Sequence, residues 1–279
     1  NKPMMTNIDL NADFELILSF TPSLGSSGIS RILARNAISG RTPEQFLSLN
    51  ESTLIEEYAL KPKAAQALTN GAKELEAKVK HYKDRVAGKP VRLATIQAAL
   101  YPTRIESFCE NPPAYVFLYG NCSVLDNKTF CVLASRDSDR TAVDRVEQEV
   151  ERGVLEPKTL VTGANTDAYM RAAVVPLRWG APRILVLDRG LFSALGDDLD
   201  QEPFPAARLW RYKFDPVTDL VVSPFRPDDH FIGSNNQLRD ELVVALSDVV
   251  VVVRARPGGV MERLADRADR IGESGTKVG

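Results

Sequence analysis

The strongest constraint on this chain is a change of rhythm near residue 90. From there on, short continuous apolar runs alternate with amphipathic helical stretches. The runs are Val91 to Thr95, Val116 to Tyr119, Thr129 to Leu133, Thr159 to Val161, Ile184 to Leu187, Leu220 to Val222 and Val249 to Val253. Ala142 to Arg152, Ala168 to Trp179, Leu238 to Leu246 and Met261 to Ile271 carry apolar residues at helical spacing instead. Strands without polar alternation are buried on both faces, so the pattern predicts a mostly parallel sheet with helices on either side. Leu195 to Trp210, rich in acid and proline, reads as a long loop or insertion with a solvated surface.

Residues from about 10 to 90 have a different texture and read as helical. Phe14, Ile17, Leu18 and Phe20, then Ile29, Ile32 and Leu33, recur at three-to-four spacing. Thr21 to Gly28 separates them, with Gly25 placed to take a positive φ and serines placed to cap the next helix. Thr42-Pro43-Glu44 and Lys61-Pro62 are helix starts with proline at the first helical position. A long polar helix is expected from about Ala64 to Val86, ending at Gly88-Lys89-Pro90. The expected class is therefore α/β: a Rossmann-like, doubly wound, mostly parallel sheet over residues 89–279. A small all-helical domain over residues 1–88 precedes it, similar to a helix-hairpin-helix or SAM-like unit. Such a unit can touch nucleic-acid backbone through the amides of its turn. Its turn has no basic neighbour before Arg31 and Arg35, so packing or dimerisation is the preferred role.

Charge narrows the functional classes. The net charge is −2, from 35 basic and 37 acidic side chains, which argues against coating nucleic acid by bulk electrostatics. Any nucleic-acid site must be a local basic pocket. No stretch approaches the roughly 18 apolar residues of a membrane helix, and polar Thr6-Asn7 follows Met4-Met5 where a secretory signal would be apolar. Cys109, Cys122 and Cys131 form an odd, widely spaced set, as expected of idle thiols in a reducing, cytoplasmic compartment. With only His81 and His230 to supplement them, no metal site and no cofactor is expected.

In a doubly wound sheet, ligands sit outside the carboxyl ends of the strands, which singles out four segments. Ser135, Arg136 and Ser138 follow the third run: a hydroxyl, a guanidinium fork for phosphate oxygens, and a serine placed to cap the next helix. Thr162 and Gly163 form a strand-to-helix turn continuing to Asp167. Asn235 and Arg239 open a later helix, and Arg256, Gly258 and Gly259 follow the valine run. Each alone is an ordinary turn. Four together, three with arginine, make a shared anion site the better reading. No nucleophile with a nearby histidine suggests catalysis.

Several segments together resemble the DNA-processing protein A (DprA/Smf) family. Tyr101-Pro102, Asn111-Pro112-Pro113-Ala114 and Leu118-Tyr119-Gly120-Asn121 are similar to its entry segment. Ala134-Ser135-Arg136 resembles its Gly-Ser-Arg, Thr162-Gly163 with Asp167 its Ser-Gly…Gly-Ile-Asp turn, and Val222-Ser223-Pro224 its Leu-Ser-Glu. Arg239-Asp240-Glu241 with Ala245-Leu246-Ser247-Asp248 stands for its Arg-Asn-Arg…Gly-Leu-Ser-Asp. The valine run and Pro257-Gly258-Gly259 stand for its last strand and turn. The resemblance covers roughly residues 10 to 272. It implies a cytoplasmic homodimer that binds single-stranded DNA without chemistry and helps load RecA in transformation or recombination. It also implies that Ser135, Arg136, Gly163 and Arg239 form the floor of a basic pocket.

The departures are specific. Ala134 replaces a glycine, and the turn from Gly163 to Asp167 is short. Asp240-Glu241 replaces Asn-Arg, so Glu241 is expected to repel DNA unless an arginine neutralises it. The family's carboxy-terminal winged-helix module has no counterpart, and the chain reads as shortened where its next core strand would begin. Two alternatives follow. Arg256 to Glu262 distantly resembles the Pro-Gly-Gly motif of LOG-type nucleoside-monophosphate phosphoribohydrolases, which would make Glu262 the catalytic carboxylate of a nucleotide enzyme, or the site that of a nucleotide sensor. A degenerate pocket, in a protein that works through protein contacts, is the other.

Overall fold

The computed structural model describes the backbone of residues 10–276 and the side chains of residues 13–272. Residues 1–9, with the expected non-secretory start, and the terminal residues 277–279 lie outside the described residues.

The chain forms two compact units. One comprises residues up to 89 with 93–101 and 113–116; the other comprises 90–92, 102–112 and 117 onward. The first unit contains helices α1 (Leu10–Phe20), α2 (Ser26–Ser39), α3 (Pro43–Leu47), α4 (Glu51–Tyr58), α5 (Pro62–Thr69) and α6 (Ala72–Val86). Their apolar stripes meet around Ile17, Leu18, Ile32, Phe46 and Leu54, all essentially without solvent contact. Thr42 caps α3 in a capping box with Gln45, and Pro43 and Pro62 occupy first-turn positions.

Two local expectations fail here. Gly25 is extended (φ −88°) and α2 has no side-chain cap; the left-handed residue of that turn is Ser23, at φ 60°. The long helix from Ala64 is two helices, α5 and α6, broken at Asn70-Gly71, a turn-forming pair that interrupts the apolar stripe. Arg31 does not project from the turn: it donates to the carbonyls of Tyr58 (3.1 Å) and Ala59 (3.2 Å), while Arg35 lies over the Tyr58 ring.

The remaining elements are β1 (Val91–Thr95), α7 (Thr103–Phe108), β2 (Tyr115–Gly120), β3 (Thr129–Ala134), α8 (Arg140–Leu155), β4 (Thr159–Thr162) and α9 (Asp167–Trp179). They continue with β5 (Arg183–Val186), α10 (Leu191–Leu195), α11 (Pro205–Leu209), β6 (Leu220–Ser223), α12 (Asn235–Ala245), β7 (Val249–Arg254) and α13 (Val260–Thr276). Among the described residues the strands form one seven-stranded sheet in the order β1-β2-β6-β5-β4-β3-β7. β3 to β7 run parallel, with Phe130 beside both Val249 and Leu160, and Leu185 beside Val221; β2 is antiparallel to β6. The α/β, mostly parallel class is thus as expected.

Packing follows from the strand composition. β3 to β6 are buried along their whole length, and α8 and α9 lay Val146, Val150, Ala172 and Val175 on Phe130, Val132 and Leu160. Each fully buried aliphatic side chain of this kind contributes about 2 kcal/mol. From β3 the chain steps through β4 and β5 to β6, then returns to place β7 on the other side of β3. The reversal creates a crevice at the carboxyl ends of β3 and β7.

The segment from Leu195 to Trp210 corrects the expectation of a solvated loop. It contains α11 and buries Leu199, Phe204 and Ala207, together with the carboxylate of Glu202. Glu202 accepts from Arg183 at 2.9 and 3.0 Å, and Asp219 accepts from the same guanidinium at 3.0 and 2.6 Å. One of its acids, Glu202, thus satisfies a buried cation.

Candidate nucleic-acid interface

An open cleft of about 790 Å³ lies at the crevice between β3 and β7. Its walls are the turn after β3, Thr166 after β4, the start of α12 and the turn after β7. Among the described residues four arginines (Arg136, Arg239, Arg256 and Arg263) line it against two aspartates, Asp137 and Asp240. A basic depression has formed on a chain of slightly negative net charge.

The two turns are stapled together. Ser135 N–H donates to the Arg254 carbonyl at 2.8 Å, and its Oγ accepts the Arg256 N–H at 2.8 Å. The hydroxyl proton of Ser135 is left to donate elsewhere. Arg256 pairs with Asp137 at 2.8 Å, an interaction that lowers the exposed Asp137 carboxyl below its ordinary value. Arg254 pairs likewise with Asp139 at 2.7 Å. Arg136 is exposed and, among the described residues, makes no hydrogen bond or ion pair; its charge reaches Asp240 through space.

Arg239 is held in a very different way. Its guanidinium is fully buried, over the Tyr169 ring at 5.2 Å. Asp240 Oδ1 accepts from its Nε at 3.0 Å and Nη2 at 2.9 Å; Nη1 donates to Asn236 Oδ1 at 2.8 Å and to the Ala164 carbonyl. Asp188 Oδ2 stands 3.5 Å from Nη1. Burial pushes the Asp240 carboxyl above its ordinary value, with Arg239 and Tyr169 pulling it back. Burial also raises the Tyr169 phenol, and Asp240 adds to that rise. Arg239 is a cross-brace, not a free fork.

The cleft gathers Ser135, Arg136, Arg239, Arg256, Gly258 and Gly259. Four other candidates sit elsewhere. Ser138 does not cap α8; Asp139 does, and Ser138 Oγ donates to the Ser135 carbonyl at 2.6 Å. Thr162 is buried, its hydroxyl without a hydrogen-bond partner. Gly163 lies beneath Arg239, where a Cβ would come within 2.9 Å of the Arg239 Cδ and 2.7 Å of the Tyr169 ring. Asn235 is buried and donates to the Asp188 carbonyl at 2.7 Å. Gly163 and Asn235 pack behind the cleft through Arg239 and Asp188, and Ser138 supports the turn after β3.

The expected repulsion by Glu241 is also corrected. Glu241 lines no part of the cleft; its charge acts on Cys109, whose thiol burial pushes up to about 12. Asp240 is the acid at the cleft, and Arg239 answers it. Glu262 does not line the cleft either: it accepts the Gly258 N–H at 2.6 Å, where Gly258 is left-handed at φ 70°. The amide that would bind a phosphate at this turn is thereby occupied. Among aromatic residues that could stack a base, Tyr119 and Phe192 are buried. Phe225 is half-buried, and Phe231 is exposed beneath Arg189. Sequence reading missed Asp188, Tyr169 and Asn236, because nothing local marks a residue whose partner is distant in the chain.

The sequence pattern of the DNA recombination-mediator protein A family matches residues 92–262, which span the sheet and every wall of the cleft but Arg263. DNA processing protein A from Streptococcus pneumoniae has a similar structure, with a TM-score of 0.65 and 19% identity over 96% of this chain and 85% of that one. DNA processing protein A from Helicobacter pylori, described with a single-stranded DNA binding mode, aligns with a TM-score of 0.48 and 18% identity. That alignment covers 64% of this chain and 78% of the other, too weakly to carry an argument. No curated protein matches the chain.

Proposed function

The chain belongs to the DNA recombination-mediator protein A family, and on that ground we propose that its cleft binds single-stranded DNA. The observation that carries the reading is the unpaired, exposed Arg136 beside the Ser135 hydroxyl, at the rim of an arginine-rich crevice. A guanidinium with no internal partner is available to a phosphate. Arg256 and Arg263 add charge, while Arg239 sets the shape of the floor. On this reading the cleft holds the strand without chemistry, and Glu262, the carboxylate a nucleotide hydrolase would use, is instead bonded to the Gly258 N–H.

We propose further that the protein is a cytoplasmic homodimer that hands its strand to RecA. The dimer is supported by β7, which ends the sheet order with half-buried valines and Val252 42% exposed. Among the described residues no helix is long and apolar enough to cross a membrane.

Fluorescence anisotropy of a labelled oligonucleotide, at two salt concentrations, tests the cleft. Wild type is expected to bind with an affinity that falls as salt rises. Arg136→Ala should bind more weakly, with a salt slope reduced by about one phosphate contact. Binding that ignores salt, or an Arg136→Ala protein that binds as wild type does, refutes the reading.

A further inference from the structure

Beside the cleft lies a second hollow of about 790 Å³, between α8, α9 and α11. Neighbouring residues line the two hollows at two points. Arg136 and Asp137 line the cleft and Ser138 the groove; Thr166 lines the cleft and Asp167 the groove. The turns after β3 and β4 thus border both hollows, which places the groove where a strand leaving the cleft between them would run.

The groove has an unusual far wall. Leu209 and Trp210 line it and are 84% and 80% exposed, and Arg208, Arg211 and Tyr212 flank them in the chain. The segment is held firmly. Trp210 and Tyr212 both donate their N–H groups to the Ala207 carbonyl, and Arg211 closes the turn in the left-handed region at φ 60°. The backbone of Trp210 is thus held in the turn, and its side chain is left largely exposed. Along the same groove, Arg171 and Arg178 pair with Glu147, whereas Arg140, among the described residues, makes no ion pair. Asp167, at the rim, is the opposing acid.

We propose that this groove is the continuation of the DNA path: Arg140 takes a phosphate and Trp210 stacks an unpaired base. The proposal rests on the reading of the cleft as a single-stranded DNA site. Every base has a π-face, so an exposed tryptophan between arginines binds single strands without regard to sequence. A duplex hides those faces in its own stack. A strand long enough to cross both hollows feels Trp210; a short one confined to the cleft does not.

The test compares oligothymidylates of about four and about twenty nucleotides, within and beyond the usual site sizes. Trp210→Ala is expected to weaken the long oligonucleotide about ten-fold and to leave the short one unchanged, whereas Arg136→Ala weakens both. In a Trp179→Phe background, which leaves Trp210 as the one tryptophan of the chain's two, the long oligonucleotide should quench fluorescence and the short one should not. Wild-type affinity of Trp210→Ala for the long strand, or equal loss for both lengths, overturns the proposal while leaving the cleft reading intact. Tryptophan fluorescence that changes with protein concentration but not with oligonucleotide assigns the groove to a second copy, and also overturns it. A wild-type protein that binds neither length overturns both.

Discussion

Asp240 holds Arg239 through a single oxygen, Oδ1, which accepts from Nε and Nη2 and also from the Tyr169 hydroxyl at 3.0 Å. Removing the carboxylate strands a buried cation, so Asp240→Ala is expected to lose about 3–5 kcal/mol of stability. Asp240→Asn keeps an acceptor and should lose less. It also makes the cleft more positive by one charge, which should tighten oligonucleotide binding and steepen its salt dependence. Urea denaturation and anisotropy check the two halves separately; an Asp240→Ala protein as stable as wild type would contradict the first.

Gly163 is required by close approach, since its backbone lies against Arg239 and Tyr169. Gly163→Ala should cost about 1–3 kcal/mol as both side chains shift from their packed positions. A thermal midpoint equal to that of wild type would show that the brace has room to spare.

Arg183 joins two buried acids, Glu202 and Asp219, and donates to the Ala173 carbonyl at 2.9 Å. Burial works to lower its pKa, but the two carboxylates outweigh it and leave the value raised. Arg183→Met leaves both acids without a counter-ion, with an expected loss of about 3–5 kcal/mol. The segment around Glu202 should then become sensitive to protease. Limited proteolysis that finds this segment as resistant as in wild type would contradict the assignment.

Asp248 ties the start of β3 to the start of β7. It accepts the Thr129 N–H at 2.7 Å and pairs with Arg104 at 2.5 Å. Burial alone would raise its carboxyl, but these partners outweigh burial and lower it below its ordinary 3.8. A lowered carboxyl contributes stability that is fully present above 3.8 and lost as pH falls through the native value. Asp248→Asn should therefore be less stable than wild type at neutral pH, with the gap narrowing below that value. A gap independent of pH in acid denaturation would rule out the ion pair as its source.

The strands were legible because burial on both faces leaves unbroken apolar runs, as at Thr129 to Leu133. Helix starts such as Thr42-Pro43 were legible because capping is local. Legibility ended where partners lie far apart in the chain. Nothing in the sequence marks which of Arg136 and Arg239 stays free, since both stand near a helix start and distant partners are not written beside either. Tertiary structure makes one an exposed, unpaired charge and the other a buried brace, because Asp240, Tyr169 and Ala164 converge on Arg239 alone. Glu202 is misread for the same reason: its acid-rich surroundings suggest solvent, and only the fold brings Arg183 beneath it. Local chemistry determined which segments become strands, helices and turns, because those choices depend on neighbouring residues. Only the tertiary structure decided which charges stay free for a ligand, because an ion pair depends on distance in space.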